Sequence, residues 1–383
     1  MLRAIDDSNA PSLIGSGRWS ALVAQHREAI ESARSHALFA AAVNHLIADA
    51  GVSHFAYYTD EDWDYWHLRS TFGDGSPSER VDHIGIVPQR IEGRWFVRGI
   101  LEGSVAHDSD LRVGDELLTV NGLTFSPIDA FRGTAGRTTR LRVRRRPGLI
   151  YNIDVTPIRE PLYDAMQRAI IKSIAVVEHN GLSFAYMHGW TLLGRGKEYE
   201  ALAKLQDDVD GLLLDYRDGF GGTWQRAERF LVGSGEDRRG PSRPPTWIKP
   251  VVILTGDGTR SAKEIVVDAV KRTGRAPLIG EATPGHVTSV GGVVAVGEDG
   301  LLLLPGQKFS LEGKPVEPDF PMDREIRYSA GADPQMALAK EVLAGLVRQR
   351  VRPPTLLRKD GAAAPLIHTP ANGKHRTWKN RAG

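Results

Sequence analysis

Between Trp19 and Asp49 the apolar residues Leu22, Val23, Ile30, Leu38, Ala42 and Leu46 recur at helical spacing, which predicts a small helical unit ending near Gly51. A polar, glycine-containing stretch, Gly73–Ser78, separates it from a series of short runs: Ile84–Val87, Arg94–Arg98, Glu116–Val120, Leu141–Arg144 and Tyr151–Val155. Their length and β-branched content predict strands, and Asn121-Gly122 predicts a tight turn. From about Ile174 to Val347 strand and helix patterns alternate, the mark of an α/β block. The chain therefore divides into a helical unit (1–72), a β unit (80–157), an α/β core (158–350) and a tail (351–383).

Two apolar runs in the core are followed by features suited to acyl chemistry. Gly211-Leu-Leu-Leu-Asp215 opens into Arg217-Asp-Gly-Phe-Gly221-Gly222, a buried strand ending in a glycine turn where backbone N–H groups can approach a substrate. Val251-Val-Ile-Leu254 leads through Gly256-Asp-Gly258 to Ser261-Ala-Lys-Glu264 and a helical pattern, so Ser261 falls at a strand-to-helix turn beside free N–H donors. Ser-x-x-Glu is equally the signature of a capping box, in which Ser261 and Glu264 satisfy each other's backbone and do nothing more. What favours chemistry is the second glycine turn, because a nucleophile needs an oxyanion site as well as a base.

Composition narrows the class. The 383 residues include no cysteine, which removes disulfides, thiolate metal sites and a cysteine nucleophile. A formal charge of +2 does not mark nucleic acid as the main partner. No run is long enough for a membrane span, and the N-terminus lacks the pattern of a secretory signal, so the expected chain is cytoplasmic or already trimmed. The tail from Arg352 is basic, without apolar period, and is expected to be disordered.

The β unit resembles a PDZ domain. Ile84-Gly85-Ile86 lies where that family's carboxylate-binding loop lies, and Gly103-Ser-Val-Ala-His-Asp-Ser-Asp-Leu111-Arg-Val-Gly114-Asp115 through Asn121-Gly122 matches its helix, turn and strand. A PDZ domain followed by an α/β core with these motifs resembles the C-terminal processing (tail-specific) serine peptidases, a family related to the tricorn core protease. The motifs are Asp215-Tyr-Arg217-Asp-Gly-Phe-Gly221-Gly222, Gly258-Thr-Arg-Ser261-Ala-Lys-Glu264, Gly280-Glu281-Ala-Thr-Pro-Gly285 and Glu312-Gly-Lys-Pro-Val-Glu-Pro318-Asp319. The resemblance implies a crotonase/ClpP-like core and PDZ capture of substrate C-termini. Many members use a lysine just after the Gly-Glu-x-Thr-x-Gly motif, where this chain has His286. Lys263 is a poor substitute, because two residues along a helix face different ways.

The tricorn-type branch offers another match, since its Ser-His pair resembles Ser53-His54 and its glutamate resembles Glu312. The resemblance thus implies Ser261 as nucleophile, His54 as general base, Glu312 and Ser53 in support, and the N–H groups of Gly221 and Ala262 as the oxyanion site. Imidazole suits the task, because serine is a poor nucleophile until a base takes its proton. No metal or other cofactor is required. His286 is the alternative base, and His188 reads as a strand-end histidine. The run Arg142, Arg144, Arg145 and Arg146 reads as an exposed strand face. Two other functions stay open: a non-catalytic ligand- or peptide-binding protein on the same fold, and a crotonase-like acyl-CoA enzyme.

Overall fold

The computed structural model describes residues 1–73, 75–76, 79–233 and 243–351. The basic tail beyond Val351, and parts of the separator at 73–78, lie outside the described residues.

The core is a three-layer sandwich, and the period of its strands explains why. Its sheet contains Ala175–His179, Leu182–His188, Gly211–Asp215, Val251–Thr255, Leu278–Gly280 and Phe320–Pro321 in that order, the first pair antiparallel and the rest parallel. Alternate side chains point to opposite faces. Leu212, Leu214 and Ile253 pack against the helices Leu162–Ser173, Lys197–Leu205, Gln225–Leu231 and Ala262–Arg272. Leu213, Val252 and Leu254 meet Ala339, Leu343 and Val347 of the helix Pro334–Val351 on the other face. Burial on both faces is what makes these strands read as unbroken apolar runs. Adjacent parallel strands end side by side, with Asp215 in register with Leu254, so the two glycine turns emerge at one edge.

The helical pattern at 19–49 is two helices, Ser16–Glu31 and His36–Ala50, joined by a short break at which Ser35 caps the second through Leu38 N–H (3.2 Å). Leu38, expected inside, is exposed. Gly51 closes the second helix in the left-handed conformation. The segment also shares its core with a distant hairpin, Thr288–Val296 and Gly300–Lys308. The strand Ala56–Thr59 pairs with that hairpin, and Val43, Leu46 and Tyr57 pack with Leu302 and Leu304.

The β unit is an antiparallel sheet of Ile86–Ile91, Arg94–Ile100, Glu116–Val120, Thr139–Arg146 and Leu149–Val155, with Leu123–Thr124 pairing with the third. Three expectations need correction there. The first strand starts at Ile86, and the shorter strand Val81–His83 pairs with Ile158–Glu160 instead. The stretch after Gly103 is a chain of turns, not a helix. Its serines bond the local backbone, Ser104 Oγ accepting from His107 N–H and Ser109 Oγ from Leu111 N–H, which competes with helical bonding. Arg145 is also not on an exposed face: it is buried and held by Asp115 (2.9 and 3.0 Å), while Arg142 and Arg146 remain exposed. Among the described residues no helix is long and apolar enough to cross a membrane.

Candidate active site

Ser261 stands where its sequence position suggested, immediately before the helix Ala262–Arg272, but in a strained conformation with φ +61° and ψ −126°. His54 also has positive φ, +56°. Such backbones are sparsely populated by L-residues and persist only where surrounding bonds impose them. Around Ser261 those bonds are clear. Its N–H is directed at His286 O (3.0 Å) and Glu264 Oε2 (3.1 Å). Buried Glu264 also accepts from Thr283 Oγ1 (2.7 Å) and from the N–H groups of Gly285 (2.6 Å) and His286 (2.8 Å). The capping-box pair therefore exists and does more than cap, because Glu264 ties the 283–286 loop to the nucleophile turn.

The opposing turn is pinned by buried charge. Asp215 and Asp333 grip Arg217 from both sides (2.5–3.1 Å), and Arg98 and Arg324 grip Asp218 (2.6 and 2.7 Å). Burial would lift the pKa of Asp218, but Arg324 and Arg98 override it and hold the carboxyl well below its usual range. A Cβ at Gly219 would stand 2.0 Å from Trp190 O, and one at Gly221 would stand 2.6 Å from Ser261 Cβ and 2.9 Å from its Oγ. Glycine is required at both positions by close approach. The Gly221 carbonyl accepts from Leu192 N–H (2.8 Å) and Thr191 Oγ1 (2.9 Å), which fixes that peptide. Among the described residues neither the N–H of Gly221 nor that of Ala262 donates to a protein acceptor.

Lys263 completes this half of the site, and the sequence reading undervalued it. It is fully buried, with Nζ donating to Asp218 O (2.5 Å), and burial lowers its pKa to about 7 against the pull of Asp218 and Asp215. It does not line the cavity that holds Ser261. A signal was available: Lys263, Val266, Val267 and Val270 form one i, i+3, i+4, i+7 stripe, which is the buried face.

The second half arrives from far away in sequence. Glu312 accepts from Ser53 N–H (3.1 Å), Ser53 Oγ (2.9 Å) and Val287 N–H (2.5 Å). Burial opposes its ionisation, and these bonds outweigh it to hold the pKa below the ordinary value. Ser53 Oγ lies 3.3 Å from His54 Nδ1 and also accepts from Thr288 N–H (3.1 Å). Since that hydroxyl gives its proton to Glu312, it acts as acceptor toward the ring, so Nδ1 carries the hydrogen and Nε2 keeps the lone pair. Burial, then Arg260, lower the His54 pKa to about 4 despite Glu312. At neutral pH the ring is therefore uncharged and accepts at Nε2.

Ser53, His54, Gly221, Ser261, Ala262, His286 and Glu312 all line one cavity of about 790 Å³. No hydrogen bond joins His54 to Ser261, a looseness common before substrate binds. The His286 side chain makes none among the described residues either, and its backbone is what meets Ser261 and Glu264. His188 is elsewhere, buried against Glu102 (3.1 Å) and Trp190. Ile84 and Ile86 are buried in the β unit, where the Ile84 and Gly85 carbonyls accept from Ala106 and Leu101. One contact had no sequence signal: Phe220, in the glycine turn, stacks on His67 at 3.6 Å, with Trp63 parallel to it at 5.9 Å.

Residues 183–321 match the model of Peptidase family S41. The chain is 25% identical over 366 residues to tricorn protease homolog 1 of Streptomyces coelicolor, covering 83% of this chain and 32% of that one. It is 24% identical over 237 residues to the carboxy-terminal processing protease CtpA of Bacillus subtilis, covering 56% of this chain and 49% of that one. The chain thus spans about a third to a half of the length of these relatives. The solved structure of photosystem II D1 C-terminal processing protease covers 88% of this chain and 97% of that one at 17% identity and a TM-score of 0.45, a likeness too loose to locate any residue. The matching model is one of peptidases, and both relatives are named as proteases.

Proposed function

We propose that this chain is a serine endopeptidase in which Ser261 attacks the peptide carbonyl, His54 takes and returns the proton, and Gly221 and Ala262 N–H groups receive the oxyanion. The observation that carries this reading is the hydrogen-bond run from Glu312 through Ser53 to His54 Nδ1, entering the cavity that holds Ser261. It leaves Nε2 basic, and Glu312 then stabilises the imidazolium that forms. Oxyanion donors that are fixed and unpaired beforehand need no reorganisation in the transition state, and each is typically worth about 2.7–4 kcal/mol. His54 ranks above His286 because, among the described residues, only His54 has a partner that sets its tautomer. The unit at 80–157 acts as a PDZ reader of free substrate C-termini, with backbone N–H groups of Ile84, Gly85 and Ile86 taking the carboxylate.

Fluorophosphonate labelling tests the centre of this reading: the wild type is labelled and Ser261→Ala is not. Equal labelling of both removes Ser261 from the mechanism. An unlabelled wild type that hydrolyses no peptide favours a non-catalytic binding protein.

A further inference from the structure

The cavity around Ser261 is walled largely by apolar side chains, among them Ile47, Phe55, Leu68, Trp224 and Phe309. Arg260 interrupts that wall. It immediately precedes Ser261, so their Cα atoms lie ~3.8 Å apart, and its side chain keeps 34% of its surface exposed. Its guanidinium carbon sits 4.8 Å from the centroid of Phe220, the ring clamped against His67. Stacking of this kind orients the guanidinium plane without consuming its N–H donors.

Those donors have no hydrogen bond among the described residues. Asp64 is the ion-pair partner of Arg260, with Oδ2 3.9 Å from Nη2, beyond hydrogen-bond length, so the pair leaves the N–H donors of the fork open. Glu312, the one carboxylate among the described residues lining the cavity, is occupied by Ser53 and Val287. An oriented, part-desolvated guanidinium with unused donors beside a nucleophile is a receptor for a planar anion, and a carboxylate fits its fork.

We propose that Arg260 is a specificity-determining residue that binds a substrate carboxylate close to the scissile bond, on an otherwise apolar substrate segment. This rests on the serine peptidase reading above. The carboxylate is either the free C-terminus of a short peptide or an Asp or Glu side chain. Binding has a second consequence for the chemistry. Arg260 is one of the groups holding His54 below its ordinary pKa, so neutralising it makes the base stronger when the correct substrate is present.

The test uses one apolar peptide in four versions: free C-terminal acid, C-terminal amide, Glu near the cleaved bond, and Gln at that place. The wild type is expected to favour a carboxylate over its amide partner by about 10- to 100-fold in kcat/KM. Arg260→Gln is expected to bring that ratio near one, and Arg260→Lys to retain part of it. Preference confined to the terminal pair and lost in Arg260→Gln identifies the C-terminus as the source, since a preference owed to the unit at 80–157 would survive that change, and preference confined to the Glu/Gln pair identifies an acidic side chain. No preference in the wild type, or the same ratio in Arg260→Gln, overturns the proposal. Binding of the four peptides to Ser261→Ala, by calorimetry, decides the role of Arg260 even if the wild type neither hydrolyses peptides nor takes the fluorophosphonate label, in which case it is the peptidase reading that fails.

Discussion

Ser261 and Gly221 stand on turns that follow neighbouring parallel strands of one sheet, whereas His54 and Glu312 reach the cavity from loops 258 positions apart (312 − 54). The first half is held by buried ion pairs and glycine close contacts, with Arg217, Asp218 and Lys263 all nearly inaccessible. The second is a run of hydrogen bonds on side chains that are only partly buried. A half built by steric exclusion should fail abruptly when altered. A half built by a hydrogen-bond chain should fail by degrees.

The largest effects lie where the halves meet. Ser261→Ala and His54→Ala should each lower kcat by roughly 10⁴-fold or more, and the double variant should be little worse than either, because the pair acts as a unit. Additive losses in the double variant would mean that the two halves act separately. The pH profile sharpens the same point. His54 works only as the neutral ring, so kcat/KM should be flat above its pKa and fall as the pH drops through about 4. A limb near 6.5, the value for an unperturbed imidazole, would mean that another base serves.

Next comes Gly221→Ala, which should lower kcat by about 10²- to 10³-fold with a smaller change in KM, since the new methyl displaces Ser261 from the oxyanion donors. A fully active alanine variant would show that the turn yields and that its rigidity is not functional. Glu312→Gln and Ser53→Ala should fall less, by about 10- to 100-fold. Glu312 raises the His54 pKa, so Glu312→Gln should also move the acidic limb below pH 4. A limb that does not move would place Glu312 outside the proton path.

The smallest catalytic effect is expected for Lys263→Met, within about tenfold in kcat, with a stability loss of about 1–3 kcal/mol from the unpaired Asp218 carbonyl. Thermal melts carry a signature of the charge. Burial lowers the lysine pKa from 10.5 to about 7, so between these values the unfolded chain binds more protons than the folded one. Stability from this group therefore rises with pH across that window, and Lys263→Met should lose the slope between pH 7 and 9.

Residue by residue, legibility follows the distance over which a constraint acts. The strands at Gly211 and Val251, the glycine turns and the serine before a helix were readable because each is local: a two-residue period, a missing Cβ, a cap three residues on. The Lys263 stripe was equally local. The turns after Gly103 misled because a helix match by resemblance took no account of serines that bond their own backbone. Arg145 misled because its partner, Asp115, lies in the turn before another strand.

By itself, then, the sequence determined the layered α/β core, the place of Ser261 and the glycine turn opposite it, since alternating burial and steric exclusion are written in neighbouring residues. Only the tertiary structure decided that Glu312 holds Ser53 and Ser53 faces His54 Nδ1, that Phe220 is clamped by His67, and that Arg260 lies over Phe220 with Asp64 3.9 Å away. Hydrogen bonds and charge pairs between distant loops depend on where folding brings their ends. They leave no periodic trace in the chain that makes them.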